Sequence, residues 1–469
     1  MKRTIAALAG AVLMAGCAAS RSPAPPEAAV PAQWWAPALP HHGQSAGLTD
    51  WWSRLGDPVL TDWIGRAQAH SPSVAAARAN IAAARAAVAA TEVANGPQVA
   101  AVASASRGRP DAATPLGNAV GVGLQASWVI DLWGQSAAED ASARARQQAA
   151  EAGWHQARVL VAAELAQLYV AQRLCQAQLA VARSDRDSRA ATARSSAVTE
   201  RAGLTAPAVR ALAEASHAEA QARTQAQAEQ CDRQVKALVA LTALSEPEVR
   251  TALQPGWAPS AMPSLTVPAV PAEALRQRPD VVRAERELVA AAEAAGAARA
   301  ALLPSLSLSG SVLRNRFSTA GGRTSFNTWA IGPLTLTLPL VGRDALTGNA
   351  DAALAAYEAA AVAYAATLRQ AVAEVEQALV TLAGLEQRQA ATDTAVAGYG
   401  QSFRATEARH RVGLASLPEL EDARRLRLNA DSSALALQQE RFNAWVALYL
   451  ALGGGFDPAQ PAPDTRSAP

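Results

Sequence analysis

Two long stretches of the chain carry hydrophobic residues at helical spacing. From Ser136 to about Arg201 and from Thr347 to about His410, apolar positions recur with the helical period, and no proline interrupts them. A run of roughly 65 residues at a rise of 1.5 Å per residue extends to about 100 Å. Shorter helical patterns follow each stretch. The sequence therefore predicts two long antiparallel helical hairpins that turn near residues 203 and 413.

Four shorter segments alternate polar and apolar residues with a period of two. The alternation is clearest from Ser305 to Val312 and from Val120 to Trp128. Each pattern places polar side chains on one face of a strand and apolar side chains on the other. We predict strands at 98–108, 119–134, 305–316 and 328–342, with a bulge or bend at Gly332-Pro333.

The chain repeats one order of elements, namely a helix, two strands and two long helices. Pro72 and Pro97 bracket an alanine-rich helix, and Pro279 and Pro304 bracket another at the same spacing. Such an internal repeat predicts two copies of one structural unit. We divide the chain into a first repeat at 48–245, a proline-rich linker without helical period at 246–271, a second repeat at 272–456 and a C-terminal tail at 457–469.

Four strands leave two unpaired edges, and lipid cannot satisfy the free amides and carbonyls there. Several chains must therefore pool their strands if the sheet lies in a membrane. Three protomers give roughly 12 strands, an even number within the range of outer-membrane barrels, whereas eight strands from two protomers would enclose a filled interior. The predicted fold is mainly α with membrane β: a long antiparallel coiled-coil tunnel and a trimeric 12-stranded outer-membrane β-barrel.

Composition supports long helices over a thick globular core. Half of the residues are apolar, but only 4% are aromatic and 17% are charged, so alanine, valine and leucine carry the hydrophobicity. Small apolar residues suit thin, closely packed helix pairs. The formal net charge of +2 gives no reason to expect a nucleic-acid partner.

The first 16 residues read as a secretory signal peptide, with a basic start and a short apolar run. The run ends in Leu13-Met14-Ala15-Gly16-Cys17, which resembles the bacterial lipobox, so we predict that Cys17 is acylated and anchors the chain to outer membrane lipid. An ordinary signal peptide that happens to precede a cysteine is the alternative. Residues 17–47 are rich in proline and alanine and read as an acylated tether.

Cys175 and Cys231 each lie 28 residues from Gly203, the predicted turn of the first hairpin. Positions equidistant from the turn of an antiparallel hairpin face each other, and an exported protein folds where disulfides form. A disulfide is therefore predicted. Two buried free thiols are the alternative, because facing also requires the correct rotation of each helix.

Several motifs together resemble one family over about residues 17–456. The motifs are Trp51-Trp52 with Asp57-Pro58-x-Leu60, Arg278-Pro279-Asp280-Val281, Ala300-Ala301-Leu302-Leu303-Pro304-Ser305-Leu306 and Ala451-Leu452-Gly453-Gly454-Gly455-Phe456. By these motifs the chain resembles the TolC-type outer membrane efflux proteins of the NodT-like lipoprotein branch. It departs from the family at Phe456, where Trp is common.

The resemblance implies a homotrimeric channel-tunnel that receives small molecules from an inner-membrane pump and a periplasmic adaptor and releases them outside the cell. It implies no enzymatic reaction and no cofactor, and the six histidines show no metal-ligand spacing. Two alternatives stay open. One is an exit duct for type I protein secretion, and the other is a non-conducting lipoprotein that spaces the envelope layers.

The resemblance also implies a periplasmic gate of acidic rings. Counting from Gly413, the equivalent positions are Glu419 and Asp422. Each has a structural alternative: Glu419 completes a capping box with Ser416, and Asp422 can pair with Arg425 at i+3.

The two hairpin turns would be the tips that an adaptor contacts. The residues concerned are Gly203, Leu204, Gly413 and Leu414. The alternative is that each glycine serves only the backbone geometry of its turn.

Overall fold

The computed structural model describes residues 30–31, 33–36, 51–109, 116–254, 275–319 and 321–456. Cys17, the signal peptide at 1–16, most of the predicted tether and the tail at 457–469 lie outside the described residues. The described chain is mainly helical and contains one four-stranded antiparallel sheet, as predicted.

In chain order the elements are α1 (Trp51–Arg54), α2 (Pro58–His70), α3 (Pro72–Asn95), β1 (Gln98–Gly108), β2 (Gly117–Ile130), α4 (Gln135–Arg201), α5 (Pro207–Thr242), α6 (Glu246–Ala252), α7 (Pro279–Ala300), β3 (Ser305–Thr319), β4 (Gly322–Thr337), α8 (Arg343–Arg411) and α9 (Leu417–Ala451). Helices α4 and α8 have 67 and 69 residues and pair with α5 and α9 as two hairpins. Each long helix is about 100 Å long.

Both long helices begin in the same way, a few residues after a strand of the sheet ends. Gly134 precedes α4 with φ of 77°, and Gly342 precedes α8 with φ of 79°. Glycine adopts this left-handed conformation without the steric cost that a Cβ imposes. The two halves of the chain therefore turn from strand to helix by equivalent steps.

Three of the four predicted strands have wrong boundaries. β2 begins at Gly117 rather than at 119, since Gly117 still pairs with β1 and β3, and it ends at Ile130 rather than at 134, because the chain turns there toward Gly134 and α4. β4 covers Gly322–Thr337 rather than 328–342, since its early residues pair with β3 and Pro339 offers no amide to continue the ladder. β3 continues three residues beyond 316, where it pairs with the start of β4.

The linker prediction is wrong at its start. Residues Glu246–Ala252 form helix α6, which begins with a capping box between Ser245 and Glu248. A seven-residue helix is too short to show a periodicity, so its capping residues were the available signal. Residues 255–271 lie outside the described residues.

The predicted irregularity at Gly332-Pro333 is present. The pairing of β3 with β4 shifts register between Leu308 and Gly310, opposite Leu334 and Ile331, and the Gly332-Pro333 peptide is cis. Proline has no amide to donate, so the bulge lies where a ladder hydrogen bond cannot form.

The main hydrophobic core lies where α1 and α2 pack beside α4 and α9. The Trp51 side chain is fully buried, and its ring stacks on Tyr449 at a centroid distance of 4.8 Å. The Tyr449 hydroxyl donates to the carbonyl oxygen of Gly454 at 2.6 Å and accepts from Trp52 Nε1 at 3.2 Å. Burial raises the pKa of Tyr449 to about 12, so the hydroxyl stays a neutral donor near neutral pH.

A short described part of the predicted tether lies against α8. The backbone amides of Trp35 and Ala36 donate to the two carboxylate oxygens of Glu376, at 2.7 and 2.6 Å. Val30 packs on a small apolar cluster that includes Leu368. The tether is therefore docked on α8 at these residues.

A disulfide joins Cys175 of α4 to Cys231 of α5, with a Cα–Cα distance of 5.6 Å. Both side chains are buried, so the two helices meet at the required height and rotation. The bond closes a loop with a sequence separation of 56, for which the chain-entropy model gives about 4 kcal/mol of stabilisation.

Within the described ranges, no helix combines the length and the hydropathy needed to cross a membrane.

Candidate functional site

One face of the sheet carries mostly small polar residues at the end near the helices, together with Leu313 and Phe317 toward the other end. Strand register brings Ser311 of β3 opposite Gln125 of β2, and Ser309 opposite Ser127. Along β3, Leu313, Asn315 and Phe317 of this face are half-buried, whereas the alternating positions 312, 314 and 316 of the opposite face are exposed. The less exposed face of a sheet that closes into a barrel is its concave side, which makes this face the candidate channel wall.

The opposite face of the sheet is exposed and is apolar across the middle of its strands. Register aligns Leu124 of β2 with Val312 of β3 and with Trp329 of β4. These side chains are 54%, 61% and 76% exposed. An exposed apolar band on strands of 11 to 16 residues is long enough to face the lipid of an outer membrane.

Both edges of the sheet lack a partner strand among the described residues, since the order of strands is β1-β2-β3-β4. An unpaired edge exposes a row of amides and carbonyls that lipid cannot satisfy. Among the described residues the sheet is therefore an open segment with two unpaired edges.

The two hairpin turns at the far ends of the long helices are built alike. Gly203 and Gly413 have φ of 73° and 76°. The amides of Leu204 and Leu414 donate back to the ends of α4 and α8, each at 2.8 Å. Their side chains are 75% and 69% exposed, so each tip presents a leucine to solvent.

The structure places Glu419 in the capping box of α9. Its carboxylate accepts from the Ser416 amide at 2.6 Å and from the Ser416 hydroxyl at 2.7 Å. These hydrogen bonds, first the backbone one, lower the pKa of Glu419. The cap therefore holds a carboxylate that stays ionised at the tip.

Asp422 lies on the exposed surface of α9, one turn beyond the cap. It accepts from Arg425 Nη2 at 3.0 Å, and the two side chains are 69% and 68% exposed. It also lines a cleft of about 530 Å³ between α4, α5 and α9. Glu419 and Asp422 are thus three residues apart near one tip, and both make the local contacts that the sequence offered as alternatives.

A buried ion network beside Asp422 was not predicted. Glu421 accepts from Arg189 Nη1 and, at 2.8 Å, from the Ser216 hydroxyl, while Arg424 Nη1 donates to it at 2.7 Å. Arg189 also pairs with Asp185 at 2.9 Å. The Arg189, Asp185 and Arg424 side chains are at most 7% exposed and that of Glu421 is 15% exposed.

This network joins the two hairpins. Arg424 of α9 also donates to the hydroxyls of Ser188 and Thr192 on α4, each at 2.9 Å. The sequence shows the pairs within one helix, Asp185 with Arg189 and Glu421 with Arg424, and such spacings usually mark exposed pairs. Their burial and their contact across helices depend on packing alone.

The described residues contain no group of three histidine, cysteine, aspartate or glutamate side chains that could hold a metal ion.

Comparison with known proteins gives relatives over nearly the full length. Nodulation protein T of Rhizobium leguminosarum biovar viciae is 26% identical over 458 residues, which are 95% of this chain and 92% of that protein. The pyoverdine export outer membrane protein OpmQ of Pseudomonas aeruginosa is 27% identical over 472 residues, 97% of each.

A crystal structure of a membrane protein from Pseudomonas aeruginosa has the same fold, with a TM-score of 0.81 and 25% identity over 93% of this chain and all of that one. The family described as outer membrane efflux protein matches residues 63–244 and 270–454. A match over so much of both halves, together with the two-faced sheet and the long hairpins, shows that the chain belongs to the outer membrane efflux protein family.

Proposed function

We propose that three copies of this outer membrane efflux protein close a 12-stranded barrel that continues into a helical tunnel across the periplasm. The open sheet carries the proposal, because β1 and β4 are edges that lipid cannot satisfy. Pairing β4 of one copy with β1 of the next removes every edge. Three copies give a barrel wide enough for a channel, whereas two give a barrel filled by side chains.

The proposed cargo is a small molecule that an inner-membrane pump delivers through a periplasmic adaptor. Support comes from a relative named for pyoverdine export. The exposed leucines at both tips, Leu204 and Leu414, are apolar contacts available to an adaptor. The polar concave face of the sheet suits a water-filled exit.

Lipidation of Cys17 is the proposed second attachment to the outer membrane, supported by the lipobox-like residues before it. We expect cells given labelled palmitate to label the mature chain and to leave the Cys17→Ser chain unlabelled. The Cys17 thiol, which would take the lipid through a thioether bond, is then missing, and Cys175 and Cys231 are held in their disulfide. A mature wild-type chain without label would contradict the proposal.

Asp422, together with Glu419, is the proposed acidic gate at the periplasmic end. Three copies of each carboxylate near the axis would attract cations, since low-dielectric walls strengthen their field. The lowered pKa of Glu419 keeps that charge in place below the pH at which an ordinary glutamate is protonated.

Planar-bilayer recording of the purified protein tests the channel and its gate. We expect a cation-selective conductance that multivalent cations block. Asp422→Ala should weaken the block roughly five- to tenfold, since a carboxylate in contact with a unit charge contributes about 1 kcal/mol even in water. Adding Glu419→Ala should weaken it further.

Glu229→Ala is the matched control, because Glu229 is an exposed acid on α5 that pairs with Arg233 far from the tips. It should leave the block unchanged. No conductance in any variant would refute the channel and favour an envelope spacer. A normal conductance with an unaltered block in the double variant would refute only the gate.

A further inference from the structure

The basic residues of the sheet are all on one face and at one end. The four strands contain arginine at Arg107, Arg314, Arg316 and Arg323, and they contain no lysine, aspartate or glutamate. Four cations without a single anion in a membrane sheet are a strong charge asymmetry. The sheet itself therefore supplies no negative charge to balance these arginines.

Strand register puts these arginines on the apolar face. Arg314 lies opposite Val122 of β2, and Arg316 lies opposite Val120. Arg107 and Arg323 share the row through Asn118 and Ser318, which is on the same face. All four side chains are exposed. They therefore point away from the concave polar face and toward the surroundings of the proposed barrel.

The arginines lie at the end of the sheet farthest from the helices. Arg314 is eight residues beyond Leu306, which pairs near the helical end of the sheet. At about 3.4 Å per residue and a tilt of about 40°, Arg314 and Arg316 stand roughly 20 to 26 Å above that end. The apolar band of such barrels is about 25 Å tall, so the guanidinium groups meet its outer boundary.

No carboxylate within the described ranges pairs with these four arginines, and their one side-chain hydrogen bond among the described residues is a long one, 3.4 Å from Arg316 Nε to the Ser325 hydroxyl. An arginine at the bilayer midplane is costly, but at the headgroup level it is nearly neutral in free energy. Guanidinium groups bind phosphate through paired hydrogen bonds.

We propose that Arg107, Arg314, Arg316 and Arg323 form a phosphate-binding belt for the anionic lipid of the outer leaflet. The occupant is the phosphorylated glycolipid that forms this leaflet, with its phosphates between the arginines and its acyl chains against Val312 and Trp329. This inference rests on the proposed trimeric barrel. Three copies place twelve arginines around the outer rim, in reach of several lipid molecules.

Purified full-length protein in nonionic detergent provides the test, with diphosphoryl lipid A added as the probe and lipid in free micelles separated from the protein by size. We expect retention of lipid A through gel filtration, with the apparent affinity lowered at least tenfold in the variant Arg314→Gln with Arg316→Gln. Added salt should weaken retention because it screens charges at the surface. Lysine at both positions should restore part of the affinity, since it keeps the charge but not the paired geometry.

Arg233→Gln on α5 is the control, because this exposed arginine is far from the sheet, and it should retain lipid A like the wild type. Equal retention by the glutamine variant would overturn the belt. Equal retention of dephosphorylated lipid A would show apolar contact only and would also overturn it. Phosphatidylglycerol replacing lipid A equally well would reduce the site to general anionic attraction and would contradict the proposed occupant.

Conductance measured on the same samples separates this proposal from the channel itself. The glutamine variant should conduct like the wild type, because the arginines face away from the polar wall. Protein that conducts normally but ignores lipid A would refute the belt alone. Protein that never conducts would refute the channel, whatever its lipid retention.

Discussion

Replacing Glu421 with alanine is expected to release the tip of α9 from α4 and α5, at a cost of about 3 to 5 kcal/mol. Glu421 is the carboxylate that Arg189 and Arg424 share across the two hairpins. Its removal leaves Arg424 buried without a carboxylate partner, while Arg189 keeps Asp185. An unpaired buried charge costs more than the pair itself contributes.

The loss of stability should be confined to the tip of α9, so it is measured at that tip rather than over the whole protein. Hydrogen exchange of residues 417–430 should speed up at least tenfold, and the conductance should rise if the network holds the tunnel end narrow. Glu421→Gln should fall between the wild type and Glu421→Ala, because the amide oxygen still accepts hydrogen bonds but carries no charge.

Asp422→Ala is the matched control for stability, since Asp422 adjoins Glu421 and also pairs with an arginine three residues on. That pair is exposed, and exposed pairs contribute about 0 to 1 kcal/mol. Glu421→Ala should thus change the hydrogen-exchange protection of α9, whereas Asp422→Ala should change the block by multivalent cations. Similar exchange rates in both variants would contradict the structural role of the network.

Gly453→Ala is expected to destabilise the fold by about 2 to 5 kcal/mol. An added Cβ would overlap the carbonyl oxygen of Gln277, and Gly453 has φ of 95°, which an alanine adopts only with strain. The clash would also shift Arg278, whose guanidinium donates to the Ala451 carbonyl at 3.0 Å and pairs with Glu374 at 2.7 Å. These contacts hold the end of α9 against the segment before α7 and against α8.

Circular dichroism at 222 nm during heating measures the effect as a fall of several degrees in the melting temperature. Gly384→Ala is the control, because Gly384 lies inside α8 with open space around its Cα. Alanine there should be neutral or stabilising by about 0.5 to 1 kcal/mol, since it favours the helix. A melting temperature unchanged by Gly453→Ala would refute the proposed close approach.

Much of the architecture could be predicted from local patterns. The bounds of β1, the two faces of the sheet, the long helices and the turns at Gly203 and Gly413 follow from periodicity and turn chemistry, which act over a few residues. The short helix α6 and the ends of β2 and β4 could not be read in this way. They depend on capping and on the partner strand rather than on the segment's own period.

The contacts of the candidate site likewise divide into those that local sequence patterns predict and those that they do not. The capping box at Glu419 and the pair at Asp422 are visible in the sequence, because helical spacing alone brings those atoms together. The network around Glu421 is not, since its contact with Arg189 spans 232 residues of chain.

The sequence by itself therefore determined the long helices, the four strands, their order and the two faces of the sheet, because a side chain's face depends only on its position along a helix or strand. The tertiary structure decided which faces meet. The burial of Glu421, the docking of Trp35 on Glu376 and the close approach of Gly453 to Gln277 all depend on the height and rotation at which separate helices pack. Those quantities are set by the packing of the whole chain, because many weak contacts must be satisfied together.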